Sequence, residues 1–480
     1  MLDKWHFASL RVPALSLQAF AHRHTRCARV CLRDEDNFAI FLATAQGFEL
    51  AVMRKIFMKR FLKNSMLGLL TSLAKVRLNR LKLFLIGVTG SVGKTSVKEA
   101  IFTILSSRYP VSRSEKSYNT EFGLPLAILE QNSGFSSPLK WLGVVFGSLW
   151  KAFFAGGKMQ MMVVEMGADK PGDMTWLLNL VQPQVGVFTN IKPVHLGEGQ
   201  FKDLDDIFAE KKKLVESLSE KAWAVLNADD PFIVSLRDKL ACNKLFYGSS
   251  EIADLRLHEV KNTQQGIAFT LSYKDQVATG TVPVLGVFHV YVVLPAIAVA
   301  LTQGFSLEEA VTALAKFKLP PGRMSPIAGI NDTLIIDSSY NSSPETAKEA
   351  LDVLKDMEGR RIAVLGDMNE LGGYSETLHG AIGRYAVGRA DILLTVGEKA
   401  ALMSDEAVRN GLSPEAVRHF PDATAAAEFL KKELKKDDII LVKGSQNRVR
   451  LERLVKALMK EPWQAVRLLA RQDADWNKIK

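Results

Sequence analysis

The sequence predicts an α/β protein: two doubly wound parallel sheets in succession, preceded by a basic helical segment. Three observations lead there. From residue 84 onward, short apolar runs alternate with segments of helical period, as expected of parallel strands joined by crossover helices. The first run, Leu83–Val88, passes through a glycine-rich turn directly into KTSVKEAIFTIL, whose Val97, Ile101, Ile104 and Leu105 recur at helical spacing. Charge is also unevenly divided. Of the net +10, residues 1–83 supply all, with 15 Lys/Arg against 5 Asp/Glu, while the remainder holds 47 of each. The part from residue 84 onward is therefore neutral, which argues against nucleic-acid binding.

A chain of 480 residues exceeds one hydrophobic core, so two or three domains are expected. Its three cysteines, Cys27, Cys31 and Cys242, cannot build a disulfide framework and point to a reducing cytoplasm. Cys27 and Cys31 lie near His22 and His24, but without a second paired knuckle the cluster does not read as a zinc site.

Residues 1–52 are apolar and Arg-rich, without caps, a clear period or the features of a secretory signal. Translation is expected to start at Met53 or Met58. From Met53 the run MRKIFMKRFLKNSMLGLLTSLAKVRLNRLK reads as one basic amphipathic helix, with Phe57, Phe61, Leu67, Leu70 and Leu73 sharing a face. Two readings stay open for 53–83: a strut docked on the body, or peripheral contact with an anionic membrane. Leu139–Ala155 is a second apolar stretch. It is too short to span a bilayer and is interrupted by Lys151, so an amphipathic surface or core helix is expected.

The turn after the first strand, Thr89-Gly90-Ser91-Val92-Gly93-Lys94-Thr95-Ser96, has the composition of a triphosphate cradle. Backbone amides of the turn and the helix start point at oxyanions, Lys94 adds a mobile charge, and Thr95 offers a hydroxyl to Mg²⁺. The strict spacing of such loops puts glycine at position 88; here Val88 occupies it and Gly87 comes one residue earlier.

Beyond the loop the reading continues as strand MMVVEM, helix Gly172–Val181, strand VGVFTN, helix Asp203–Glu220, strand WAVLN and helix Pro231–Leu240. Between Leu255 and Val284 the period falls to two, suggesting an antiparallel meander, and an apolar helix Val290–Leu301 follows. LPPGR at 319–323 marks a domain boundary. The expected division is therefore 1–83, 84–322 and 323–480. In the last part strands are expected at TLIID, RIAVLG, ILLTVG and DIILVKG, with helices at 345–357, 376–388, 424–434 and 449–459.

Several polar residues fall at strand carboxyl ends, where open α/β sheets bind ligands. Glu165 ends MMVVEM and could hold Mg²⁺; His195 follows VGVFTN and could serve a second metal. Lys211, Lys212 and Lys213 share one helix. Asn227-Ala-Asp-Asp-Pro231 could line a nucleotide or cap a helix. Asp337 ends TLIID, and Lys443-Gly-Ser445 ends the final strand, ready for an anion.

Taken in order, TGSVGKTS, NTEFGLPL, EMGADKPGDM, TNIKPVHL, NADDP, PPGR, IDSSYNSSPET, LGDMNELG, HGAIG and LVKGS resemble the Mur ligases over about residues 84–460. The EMG, SYN and LGDMNELG runs resemble the members that join D-alanyl-D-alanine to a UDP-N-acetylmuramoyl-tripeptide. The resemblance implies an ADP-forming, ATP- and Mg²⁺-dependent amide ligase of peptidoglycan assembly, working through an acyl phosphate and acting as a monomer without nucleic acid. It also implies Mg²⁺ on Thr95 and Glu165, and a second Mg²⁺ on His195 and a carbamylated lysine matching Lys211, with the register in 211–213 open by one. Asn119 would lie near the γ-phosphate, Asn227 at the nucleotide, Arg323 near the ATP phosphates and Asp337 in the C-terminal contact. The chain departs from the family at three places. Phe288, His289 and Val292 stand where relatives carry a His-Asn…Asn run. Asp337-Ser338 stands for two acids, and 1–83 for a folded UDP-sugar domain. Two alternatives remain open: a ligase of the same superfamily with a different carboxylate, and a non-catalytic nucleotide-binding scaffold.

Overall fold

The computed structural model describes residues 61–114, 121–134, 137–156, 159–194, 196, 199–263, 265–369, 371–445, 449–472 and 476. The expectations for residues 1–60, with Cys27, Cys31 and Phe57, and those for Asn119 and His195, fall outside the described residues. The chain divides into two compact units, one of Met1–Arg77 with Leu129–Ala155 and one of Leu78–Ile128 with Gly156–Lys480.

The first unit holds residues 61–77 of a helix that runs on to residue 81, and Pro138–Phe153 as another, the latter capped by Ser137, which accepts from the Lys140 amide. The first helix buries Leu70, Leu73 and Ala74, and Leu67 is half-buried, but Phe61 is exposed rather than part of that face. The second buries Val144, Ser148 and Ala152. Glu130 ties the unit together: Arg77 reaches it at 2.8 Å and Lys151 pairs with its other oxygen.

The second unit contains both sheets. Among the described residues the first has nine strands: β1 (Phe84–Thr89), β2 (Val111–Arg113), β3 (Met161–Glu165), β4 (Val185–Phe188), β5 (Trp223–Asn227), β6 (Asn243–Gly248), β7 (Leu255–Thr263), β8 (Gly266–Tyr273) and β9 (Gln276–Val282). Their order is β2-β3-β1-β4-β5-β6-β7-β8-β9. The strands from β2 through β7 pair in parallel, while β7, β8 and β9 form the expected antiparallel meander. The central strands are buried along nearly their whole length, because helices cover both faces, and so they read as continuous apolar runs. Helices Lys94–Leu105 and Val290–Thr302 fill one face through Val97, Ile101, Ile104, Val293 and Ile297.

The second sheet is built of β10 (Ser325–Ala328), β11 (Leu334–Ser338), β12 (Arg361–Gly366), β13 (Ile392–Val396), β14 (Val417–Phe420) and β15 (Ile439–Lys443), in the order β10-β11-β15-β12-β13-β14. Only the β10–β11 pair is antiparallel among these described strands. Helices Pro344–Lys355, Ser375–Ala386 and Ala401–Arg409 cover one face, and Ala423–Glu433 and Glu452–Leu458 the other.

Four strands, β2, β6, β10 and β14, and the helices Gly123–Ile128, Leu307–Ala313, Ala401–Arg409 and Ala465–Leu468 were not expected from pattern. Three of those strands have three or four residues, too few to display a period, and β6 begins on the polar pair Asn243-Lys244. The expected helix Asp203–Glu220 is instead two pieces, Leu204–Lys211 and Lys213–Glu216. The expected helix Pro231–Leu240 is regular only over Pro231–Val234, beyond which its backbone bonds become turns.

Candidate active site

The glycine-rich loop joins β1 to the helix Lys94–Leu105 at the carboxyl edge of the first sheet. Two of its residues must be glycine. Gly90 has φ 138°, and a Cβ there would lie 2.0 Å from Thr189 Oγ1; Gly93 caps the helix at φ 86° with no side-chain hydrogen bond to the first-turn amides. Those amides are therefore left for a ligand. Position 88, by contrast, lies inside β1, where Val88 pairs with Glu165 and Val187. Extended backbone accepts valine, which explains why this loop needs no glycine there.

The segment after β4 braces the loop. Asn190 Oδ1 accepts from the Val92 amide at 3.0 Å, and Thr189 Oγ1 and Asn190 Nδ2 both donate to the Val92 carbonyl. Ser91 Oγ donates to the Lys192 carbonyl and accepts from its amide. Lys94 folds back over the loop, with Nζ donating to the carbonyls of Gly90 (2.9 Å) and Ser91 (3.1 Å).

Thr95 and Glu165 stand side by side. Thr95 Oγ1 donates to Glu165 Oε2 at 2.7 Å, with Glu165 at the buried end of β3. A hydroxyl and a carboxylate at the phosphate end of the loop are the hard oxygen donors that Mg²⁺ takes, so these residues fit that ion.

The three lysines 211–213 have different surroundings. Lys211 is fully buried, and its Nζ donates to the Ala168 carbonyl at 2.8 Å. Burial and the nearby Lys94 charge bring its pKa from 10.5 down to about 7. Lys212 pairs with Glu216 and Lys213 with Glu210, both as partly exposed ion pairs on the helix.

Asn227 is buried at the end of β5, where its Nδ2 donates to the Thr189 carbonyl and its Oδ1 accepts from the Asp229 amide. Asp230 caps Pro231–Val234 and also accepts from the Ile191 amide at 2.7 Å. Asp229 accepts from the amides of Ser249 and Ser250 and from the Tyr291 hydroxyl at 2.7 Å. His289 is buried with its Nδ1–H on the Leu285 carbonyl, and burial lowers its pKa to about 4.

The second sheet contributes a buried group of its own. The Arg323 guanidinium lies 4.0 Å over the Tyr340 ring. Asp337 is fully buried at the end of β11, with Oδ1 accepting from the Ser339 amide and Oδ2 unpartnered. Burial raises its pKa to about 6. Lys443, across the β11–β15 pair, donates to the Asn341 carbonyl at 2.9 Å, and burial lowers its pKa to about 8.

Pattern reading did not single out Lys98 or Asn190. Lys98 is fully buried one turn beyond Lys94, donating to the Ser114 carbonyl, and burial lowers its pKa. Its place among Val97, Ile101 and Leu105 on the covered side of an apolar helix was the available signal. Beyond burial, the Arg323 charge adds to the lowering at Lys98 and Lys443, and the Lys94 charge to that at Lys211. These lysines and Arg323 gather positive charge where a polyanion would sit.

Comparison with known proteins agrees with this geometry. The Mur ligase middle domain pattern matches residues 88–300, and the Mur ligase glutamate ligase domain pattern matches 322–446. The UDP-N-acetylmuramoyl-tripeptide–D-alanyl-D-alanine ligase of Escherichia coli K12 is 30% identical over 382 residues, covering 78% of this chain and 76% of the relative. This chain belongs to the Mur ligase family. The ligase of the same name from Bacillus subtilis 168 is 29% identical over 399 residues, covering 82% of this chain and 79% of that one. Among solved Mur ligases, MurF from Acinetobacter baumannii superposes with a TM-score of 0.70 at 27% identity, covering 82% and 80%. MurF from Thermotoga maritima in complex with ADP superposes at 0.67 with 26% identity, covering 83% and 84%. The fold expected from sequence, a nucleotide-binding parallel sheet followed by a C-terminal α/β domain, is the Mur ligase fold.

Proposed function

We propose that this chain joins D-alanyl-D-alanine to a UDP-N-acetylmuramoyl-tripeptide at the expense of ATP, in peptidoglycan synthesis in the cytoplasm. The observation that carries the reading is the 30% identity to the Escherichia coli ligase, extending over both sheets that build the site. The division is 1–83 as a basic segment, 84–322 as the ATP-binding domain and 323–480 as the acceptor-side domain, acting as a monomer and without nucleic acid.

A carboxylate resists attack by an amine because its oxygen is a poor leaving group. Transfer of the ATP γ-phosphoryl to that oxygen yields an acyl phosphate and ADP. The amine nitrogen then attacks the carbonyl carbon, a tetrahedral intermediate forms, and phosphate departs as the amide closes. The loop Thr89–Ser96 grips the phosphates through its amides, and Lys94 exchanges its carbonyl partners for phosphate oxygens. Thr95 and Glu165 would hold Mg²⁺, which neutralises charge on the transferring phosphoryl group. By their motifs Asn119 would serve the γ-phosphate, Arg323 the ATP phosphates from the domain junction, Asn227 the nucleotide and Asp337 the C-terminal-domain contact.

Lys211 is the residue of the triplet we assign to carbamylation. Its neutral Nζ adds to carbon dioxide, forming an N–C bond and releasing one proton, and so turns a would-be cation into an anionic oxygen donor. With His195 it would hold a second Mg²⁺. The buried position and lowered pKa of Lys211 support this register over Lys212 and Lys213.

A second reading, a ligase of the same family for a different carboxylate, follows from the basic segment 1–83 standing where the resemblance calls for a UDP-sugar domain. Phosphate release decides between them. We expect it to require both UDP-linked tripeptide and D-alanyl-D-alanine, and to fall when the peptide lacks UDP. Equal turnover without UDP supports the second reading, and no ATP turnover with any carboxylate overturns both.

A further inference from the structure

The first compact unit leaves rows of apolar side chains uncovered. On the helix Pro138–Phe153, Leu139, Leu142, Phe146, Trp150 and Phe153 recur at three- and four-residue spacing and are 50–79% exposed. Phe154 continues the row at 68%. Helix 61–81 exposes Leu62, Leu69 and Val76, each seven residues from the next. Each helix buries a different face, so these rows are additional to the packing that holds the unit. Isolated exposed apolar residues are ordinary, but two ordered rows mark an interaction surface.

Charge identifies the occupant. Within the unit, residues 61–77 and 137–155 hold five Lys and Arg and no Asp or Glu; the acid beside them, Glu130, pairs with the buried Arg77 and with Lys151, and the described part of the unit stays at +4. An acid-free basic helix with Trp and Phe along its apolar side is the chemistry that binds an anionic lipid surface. We propose that helices 61–81 and Pro138–Phe153 form a membrane-binding unit that lies in the plane of an anionic bilayer, with Phe146 and Trp150 inserted at headgroup depth. The sixteen-residue helix is about 24 Å long at 1.5 Å per residue, short of the roughly 30 Å hydrocarbon layer. No described helix is long and apolar enough to cross a membrane. A second copy is a poor occupant of the same surface, because it would bring two faces of net positive charge together.

The test is co-sedimentation of the full chain with vesicles of phosphatidylcholine, or of phosphatidylcholine mixed with phosphatidylglycerol. Association is expected with the anionic vesicles and is expected to weaken several-fold as salt is raised. The double variant Phe146→Ser with Trp150→Ser should lose about tenfold or more in partitioning, since it removes two large inserted side chains. Its ATP turnover in solution should be unchanged, because both residues are exposed and outside the nucleotide site. No association with anionic vesicles at low salt overturns the proposal. So does equal binding by the double variant, or a wild-type dimer in solution that the double variant dissociates.

Discussion

Replacing Lys211 by Met separates a buried structural lysine from a carbamylated one. Carbon dioxide adds only to the neutral amine. At pH 8 a lysine with the ordinary pKa of 10.5 is about 0.3% neutral, whereas one at about 7 is about nine-tenths neutral, a roughly 300-fold enrichment of the reactive form. Burial is the main cause, and the Lys94 charge adds to it. Lys211 is therefore expected to take up ¹³C-labelled bicarbonate, read as a carbamate carbonyl signal by NMR. That signal should appear as pH rises through about 7 and fade below it, and it should vanish in Lys211→Met. The Lys212→Met and Lys213→Met variants should keep it, since those side chains sit in partly exposed ion pairs. Ligase turnover of Lys211→Met should fall at least ~100-fold, the scale on which a charged group at a transferring phosphoryl acts. Short carboxylates, which supply anionic oxygens to the vacated space, should restore part of it. The reasoning fails if Lys211→Met keeps more than a tenth of wild-type turnover, or if Lys212→Met loses as much.

Two other outcomes follow from the same electrostatics. In Lys94→Met the loop loses its mobile cation, so ATP turnover should be lost while the circular dichroism spectrum stays native. Because the Lys94 charge depresses the Lys211 pKa, the carbamate titration should move to higher pH; an unmoved midpoint would show the two lysines uncoupled. Asp337 has a folded pKa near 6 against 3.8, so the folded state binds its proton more tightly than the unfolded chain does. Its ionisation therefore costs stability progressively from about pH 4 to 6 and in full above, by up to about 3 kcal/mol at 1.36 kcal/mol per pKa unit. Asp337→Asn should stabilise the protein in urea unfolding, by about 1.5 kcal/mol more at pH 8 than at pH 5. An equal effect at both pH values would refute the assignment.

Much of the architecture was legible because it rests on local rules. Buried parallel strands read as apolar runs, and Gly90 and Gly93 announced a loop whose backbone other residues cannot adopt. Short edge strands such as β2 and β14 carried too few residues to show a period. Lys98 was missed because it is polar in type, while its helical position is that of a core residue. His195 and Asn119 keep only the roles that their motifs imply.

The sequence by itself determined the alternation of strand and helix, the phosphate loop, and which carboxylates and lysines stand at strand ends, since each follows from nearest-neighbour chemistry. Only the tertiary structure decided which lysine of 211–213 is desolvated, because successive residues across this helical break point in different directions and packing chooses which faces inward. It also placed Glu165 against Thr95 by pairing β3 with β1 in register, a contact across 70 residues that no local pattern contains. The same holds for the apolar rows on 61–81 and Pro138–Phe153. Their amphipathic pattern was visible in the chain, but which apolar residues remain outside was settled only when the helices packed.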